Sequence, residues 1–356
     1  MRRSSQGGTG TLEDRLDALS APGDLYVEEE GDRVRCYACA HRCLVPPGHR
    51  GICKVRYNRE GVLYVPRGYT SALHADPIEK KPFFHALPGS LALSFGMMGC
   101  DYHCSFCQNW VTSQALRDEA AESPVREISP ERIVAMAFES GARIVTSTYN
   151  EPLITAEWAA EVFRVAKEEG LRTAFVSNGN ATPGVLEYLD PHLDLYKVDL
   201  KAFTDEAYRR LGGKLEPVLE TIRRLAAMDV WLEVVTLLIP GMNDSDTEIR
   251  ELTGFLAEVS PDIPWHVTAF HPDYRMQDPP ATTIAGLRHA ASIGRESGLR
   301  FVYAGNLPGG AGEWEDTHCP SCGFRLVERS GFRIREDRTR GGRCPDCGAA
   351  VPGVWS

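Results

Sequence analysis

Cys100, Cys104 and Cys107 stand in the run Phe95-Gly-Met-Met-Gly-Cys100-Asp-Tyr-His-Cys104-Ser-Phe-Cys107, a CxxxCxxC spacing that gathers three thiols into one loop. Structural zinc sites and ordinary [4Fe-4S] clusters take four protein ligands. Three thiolates hold such a cluster while leaving one iron open, and an open iron can chelate a small molecule. The competing reading is a zinc site completed by His103 or a distant fourth ligand; the spacing and the glycine-rich approach favour the cluster.

The remaining eight of the eleven cysteines form two further groups, with none left over. Tight local spacing places thiolates around a centre, whereas disulfide partners need no such clustering, so the pattern predicts metal sites. Cys319-Pro-Ser-Cys322-Gly and Cys344-Pro-Asp-Cys347-Gly are paired CPxCG knuckles, a zinc-ribbon pattern. The 21 residues between them slightly exceed the usual length, which a hairpin at Gly341-Gly342 accommodates. Cys36, Cys39, Cys43 and Cys53 supply four ligands around the turn-forming Val45-Pro-Pro-Gly48. Four thiolates make a closed site, fitting either structural zinc or an auxiliary iron-sulfur cluster that relays electrons; the reading leans to zinc.

Short apolar runs at 91–95, 142–146, 172–176, 194–198, 230–239, 265–270 and 300–304 read as buried strands, with amphipathic helices between them. Ser129-Pro130-Glu131 opens one such helix as N-cap, first-turn proline and dipole-matched acid, with Ile133, Val134, Ala137 and Phe138 as its buried face. Repeated βα alternation with strands buried on both faces predicts an α/β fold: a parallel sheet curled into a full or partial (β/α) TIM-type barrel. A doubly wound open sheet is the alternative. Reactive groups then belong where strands end. Asn150 and Glu151, Ser177 and Asn178, and Asp199 and Lys201 stand at three successive strand ends, while His266 and His271 flank a later strand. Each taken singly is an ordinary turn, solvated pair or packed histidine; their order favours a site. The domains expected are a flexible tail at 1–25, a four-cysteine segment at 26–85, the core barrel at 86–310 and the zinc ribbon at 311–356.

A net charge of −10 opposes binding to a polyanion, because Lys and Arg supply most nonspecific nucleic-acid affinity. Seven arginines between Arg325 and Arg343 are interleaved with Glu328, Glu336 and Asp337, which reads as a solvated hairpin. No apolar signal region follows Arg2-Arg3, and no run approaches the roughly 18 apolar residues that span a bilayer. The reading is of a cytoplasmic chain.

The CxxxCxxC motif, with the aromatic Phe106 before its last cysteine, resembles the signature of the radical S-adenosylmethionine (SAM) superfamily, in which the SAM amino and carboxylate groups occupy the open iron. Over about residues 30–356 the chain resembles the radical SAM member of the AmmeMemoRadiSam system, related to pyruvate formate-lyase activating enzymes. The resemblance rests on Cys36-x-x-Cys39-Ala-His-Arg-Cys43 with Gly51-Ile-Cys53, Lys81-Pro-Phe-Phe-His85, Cys107-Gln-Asn-Trp110, Thr148-Tyr-Asn-Glu-Pro152, Asp199-Leu-Lys201, Pro264-Trp-His266 and Phe270-His-Pro272. It implies that Asn150 and Glu151 stand for the GGE-like turn that takes the SAM amino group. Asn109 and Ser177, with Asn178 beside it, would contact SAM, Lys201 its carboxylate, and Asp199 and His266 the cofactor or substrate pocket. It also implies a reductant such as flavodoxin or ferredoxin, and Memo-type and AMMECR1-type partner proteins. Where the activating enzymes carry a strand arginine before Pro-Gly, this strand has Glu233 and no arginine, which stands against glycyl-radical activation. The function expected is reductive SAM cleavage to a 5′-deoxyadenosyl radical for hydrogen abstraction from an unknown substrate. The alternatives are an activase acting on a partner protein and a noncatalytic zinc-rich nucleic-acid or adaptor protein.

Overall fold

A computed structural model describes residues 11–307 and 310–356. Its central sheet has eight strands: β1 (Ala72–Pro77), β2 (Leu91–Gly96), β3 (Ala142–Ser147), β4 (Arg172–Ser177), β5 (Leu195–Asp199), β6 (Trp231–Leu238), β7 (Trp265–Ala269) and β8 (Val302–Gly305). Spatial order follows chain order, all pairs from β2 to β8 are parallel, and β1 is antiparallel to β2. Because β1 and β8 do not pair, the curled sheet stays open as a partial barrel. β1 was not legible in the sequence: it is a half-exposed edge strand whose His74 and Ala75 face solvent, so it lacks the apolar run of a buried strand.

Helices cover the sheet's outer face, among them Pro130–Ser140, Ala156–Glu168, Leu215–Ala227, Asp246–Val259 and Ile284–Glu296. The first starts as the sequence predicts, with Ser129 Oγ accepting from Arg132 N, and stops at Gly141, whose φ of 73° suits a residue without Cβ. Ile133, Val134 and Ala137 are buried, but Phe138 is 52% exposed and Met136 packs in its place. The parallel register sets Ser147 beside Phe95 and Phe175, and Ser177 beside Val198. The turns after β2, β3, β4 and β5 therefore emerge at one edge. No helix among the described residues is long and apolar enough to cross a membrane.

Residues 1–10 of the expected tail lie outside the described residues, but the rest of it folds. Helix Leu12–Ala18 is held by a reciprocal Thr11–Asp14 capping box, and Arg50 pairs with Glu13 at 2.7 Å and Asp17 at 2.6 Å. A seven-residue helix is too short to persist alone, so burial of Leu16 and these ion pairs are what order it. The segment's small antiparallel sheets dock on helix Ala156–Glu168 through Arg56 and Glu157. This pair is fully buried and bidentate, with both N–H···O contacts at 2.7 Å, and Arg56 also donates to Ile154 O. Burial opposes charge on both groups, yet Arg56 holds the Glu157 carboxyl below its ordinary value.

At the other end, strands Thr317–His318, Arg325–Ser330 and Arg333–Asp337 form an antiparallel hairpin sheet. Arg325 pairs with Glu328 and Asp316 and Arg338 with Glu336; Arg333, Arg335, Arg340 and Arg343 are exposed, and Arg329 alone of the seven is buried. Arg329 lies 4.2 Å over the Phe84 ring and starts a directional chain of hydrogen bonds. It donates to Thr317 Oγ1, Thr317 to Tyr303 Oη, and Tyr303 to His85 Nε2, because His85 Nδ1–H must donate to the Pro352 carbonyl. His85 is thereby a neutral imidazole, and burial pushes its pKa down to about 4.

Two outcomes are expected. Glu157→Gln strands the Arg56 charge and should lower unfolding free energy by about 3–5 kcal/mol, seen as a lower urea midpoint at unchanged slope; an unmoved midpoint refutes the anchoring role. For His85, the unfolded chain takes up a proton below 6.5 and the folded chain only below about 4. Stability should therefore fall with pH across that window, by up to about 3 kcal/mol, and His85→Phe should be less acid-sensitive than the wild type. Parallel losses in both proteins between pH 7 and pH 5 would contradict this.

Candidate functional site

The cysteine loop leaves β2 through Gly96 and Gly99. A Cβ on Gly96 would sit 2.5 Å from the Thr148 carbonyl, and Gly99 has a φ of 95°, so a side chain at either would push the loop off the end of β3. Asn150 Oδ1 accepts from Met97 N at 3.0 Å, and Thr112 Oγ1 donates to Tyr149 O at 2.9 Å, with Tyr149 held at a φ of 71°. Asp101, wholly buried between two of the motif cysteines, accepts from the side-chain amides of Asn178 and Asn180, both at 2.8 Å. These contacts tie the loop to the ends of β3 and β4.

The loop faces a cavity of about 900 Å³ at the carboxyl edge of the sheet. All twelve residues expected to bind the cluster, cofactor or substrate line it: Cys100, Cys104, Phe106, Cys107, Asn109, Asn150, Glu151, Ser177, Asn178, Asp199, Lys201 and His266. His103 does not; its ring packs against Gly212, so the zinc alternative loses its nearby fourth ligand. His271 lines the rim beside Gln108 at 3.1 Å.

Burial sets the electrostatics. It raises all three thiols of the trio, Cys104 to about 12, while the Lys201 ammonium pulls Cys104 and Cys107 the other way. Such sulfurs become thiolates only against bound cations. Glu151 accepts from Ser177 Oγ and Asn178 N, both at 2.7 Å, and Leu153 N at 3.0 Å. Burial and the neighbouring Asp101 still push its pKa up to about 8. Asp199 bridges Lys197 at 3.0 Å and Lys201 at 3.4 Å. Burial opposes its charge, but the two ammonium groups hold its carboxyl below the ordinary value.

Glu233 lies behind the cavity lining, beneath His266. It is fully buried and accepts from Phe84 N, His85 N, Trp231 Nε1 and His266 Nε2, the last at 2.6 Å. His266 is thus fixed by a carboxylate below it, not free at the mouth. Sequence reading missed Asp101, Asn180, Lys81 and Lys197 as site residues. Lys197 carried a usable signal, since it and Asp199 are two apart on one strand and share a face. Lys81 opens one of the resembling motifs, but nothing in it placed the residue: its ammonium, 3.0 Å from Tyr149 Oη and 3.2 Å from Asp76, reaches the cavity from a separate segment.

The sulfurs of Cys319, Cys322, Cys344 and Cys347 all lie within 4.8 Å of one another, with two pairs at 3.6 Å. Four thiolates about 2.3 Å from one tetrahedral ion would be about 3.8 Å apart, so this group fits a single ion. Among the described residues neither the Cys100 trio nor the Cys36 group converges so closely. Ligands of a cluster bind different irons and need not converge, so the spread of the trio fits a cluster and not one ion. For the Cys36 group the same spread departs from the zinc favoured by its sequence.

The profile of the Radical SAM superfamily matches residues 96–253. Over 333 residues, 92% of this chain and 97% of the other, the sequence is 36% identical to an uncharacterized protein of Methanocaldococcus jannaschii. It is 27% identical over 190 residues to the pyruvate formate-lyase-activating enzyme of Staphylococcus epidermidis, covering 49% of this chain and 74% of that enzyme. A solved domain of pyruvate-formate lyase-activating enzyme from Bacteroides vulgatus aligns at 23% identity with a TM-score of 0.40, over 46% of this chain and 98% of that one. The profile match begins at Gly96 and takes in the cysteine loop, the Asn150–Glu151 turn and the Asp199–Lys201 pair, and on that ground this chain carries a radical SAM domain.

Proposed function

We propose that the chain is an enzyme that holds a [4Fe-4S] cluster on Cys100, Cys104 and Cys107 and cleaves SAM beside it. The observation that carries this is the convergence of the trio and every strand-end polar residue on one cavity. When bound, the cluster supplies the electron that splits the SAM sulfonium into methionine and a 5′-deoxyadenosyl radical. The chain's own residues do the rest. Glu151, a buried carboxylate short of positive charge, is suited to an ammonium group such as the SAM amino group, with Asn150 beside it. Lys201 offers an ammonium to a carboxylate, its charge maintained by Asp199. Ser177 and Asn178 orient Glu151, and Asn109 stands at the exposed rim over the cavity. His266, held by Glu233 behind it, would position a substrate hydrogen and limit access of water.

A small-molecule substrate is the reading favoured here. Kinship to activating enzymes supports a second one, a glycine of a partner protein, and Glu233 in place of their strand arginine weighs against it. Zinc in the C-terminal tetracysteine site, an external flavodoxin or ferredoxin as electron donor, Memo-type and AMMECR1-type partners and a reducing cytoplasm belong to the same proposal.

Anaerobically reconstituted protein treated with dithionite should convert SAM to 5′-deoxyadenosine, and Cys104→Ala should abolish both this and the SAM-responsive EPR signal; undiminished nucleoside release by the variant would refute the assignment. Glu151→Gln should keep its iron yet bind SAM about tenfold to a hundredfold more weakly by titration calorimetry, as expected for losing a charged hydrogen bond of roughly 1.5–3 kcal/mol. Unchanged affinity would remove Glu151 from the SAM site.

A further inference from the structure

The four N-terminal cysteines come from three adjoining turns. Cys36 ends the strand Arg33–Cys36, and its backbone N donates to the Cys43 carbonyl at 3.0 Å; Cys39 lies in the turn between them, and Cys53 follows Gly51, whose Cβ position is 3.6 Å from Cys43 Sγ. Cys36, Cys39 and Cys53 are buried.

Two observations bear on what they hold. First, their sulfurs do not draw together as the ribbon's four do, and in this they match the Cys100 trio. A lone tetrahedral ion demands sulfurs about 3.8 Å apart, whereas a cluster spreads its ligands over several irons. Second, the group adjoins the cysteine loop directly. Ala40 N donates to Asn180 O at 2.8 Å, and Asn180 in turn donates to Asp101, the residue after Cys100. The Cys53 carbonyl lies 3.0 Å from the Cβ position of Gly99, the residue before Cys100. One residue, Gly99, separates Cys53 from Cys100, and three, Ala40, Asn180 and Asp101, link Cys39 to it.

We propose that Cys36, Cys39, Cys43 and Cys53 hold a second iron-sulfur cluster, which passes electrons singly from an external low-potential protein donor to the cluster on Cys100, Cys104 and Cys107. Four protein thiolates leave no iron open, so this cluster binds neither SAM nor substrate and is confined to electron transfer. The step is balanced without bond or proton changes: the donor loses one electron, the closed cluster gains and then loses it, and the open cluster gains it. The relay role rests on the SAM-cleavage reading, which supplies its acceptor; the presence of the cluster does not.

The test begins with Cys100→Ala/Cys104→Ala/Cys107→Ala, reconstituted anaerobically with iron and sulfide. It should retain about four irons per chain, about one zinc, and a reduced EPR signal indifferent to SAM. An iron-free chain with about two zincs would overturn the cluster in favour of a second structural zinc. Should that variant fail to fold, wild-type protein serves: two reduced EPR signals, of which SAM shifts one, support the proposal, and a single signal defeats it. Cys39→Ala/Cys53→Ala should then retain the SAM-responsive signal and dithionite-driven 5′-deoxyadenosine, but lose about tenfold or more of the rate with reduced flavodoxin. An unchanged flavodoxin-driven rate overturns the relay. Wild-type protein that makes no 5′-deoxyadenosine with either reductant would count against SAM cleavage, leaving the iron of the triple variant as the separate measure of the second site.

Discussion

A single buried carboxylate, Asp101, fixes the cysteine loop to everything around it. An ionised group withdrawn from water is costly unless its oxygens are satisfied, and here each oxygen receives a side-chain amide, from Asn178 and from Asn180. Both donors stand in the turn after β4, so the loop that follows β2 is held two strands away from its origin. The backbone of Asn180 then accepts from Ala40. Three distant stretches of chain thus share one polar junction, and the position of Cys100 relative to the sheet follows from it.

The same logic recurs behind the cavity lining, on a larger scale. Glu233 gathers donors from residues 84, 85, 231 and 266, and Arg329, Thr317, Tyr303 and His85 form a chain with a single consistent direction. Buried polar networks of this kind add little net stability when complete, and are severely destabilising when one member is lost. Their effect is to admit one arrangement of segment 81–85, barrel and C-terminal hairpin. That arrangement gives the cavity wall its shape, and the tip of the hairpin at Gly331 and Phe332 contributes to it.

What was legible in the sequence was local. The cysteine spacings, the buried runs of β2 to β8 and the polar residues at the ends of β3, β4 and β5 all lie within a few residues of their own signal, and the structure brings the expected pocket residues together. What was hidden depends on partners far away in the chain. Asp101 looks like a spacer inside the motif until Asn178 and Asn180 arrive 77 and 79 residues later. Glu233 reads only as a missing arginine, because its donors at 84 and 85 are 149 and 148 residues distant. The edge strand β1 escaped for a different reason: it has no continuous apolar pattern and is ordered by what it docks against. The arginine-rich stretch reads as a solvated hairpin and is one, except that Arg329 is buried.

The hydrogen bond between His85 and Pro352 joins residues 267 positions apart, and Val354 adds two backbone bonds to residues 85 and 87 nearby. During translation, the His85 segment and all of the barrel strands leave the ribosome well before these partners exist. The nascent barrel therefore waits with its lower end unsealed and with imidazole and phenol groups still open to water. Closure of this lower end is deferred to the synthesis of residues 352–355, so a nascent chain arrested before them would carry every cysteine and still lack these bonds.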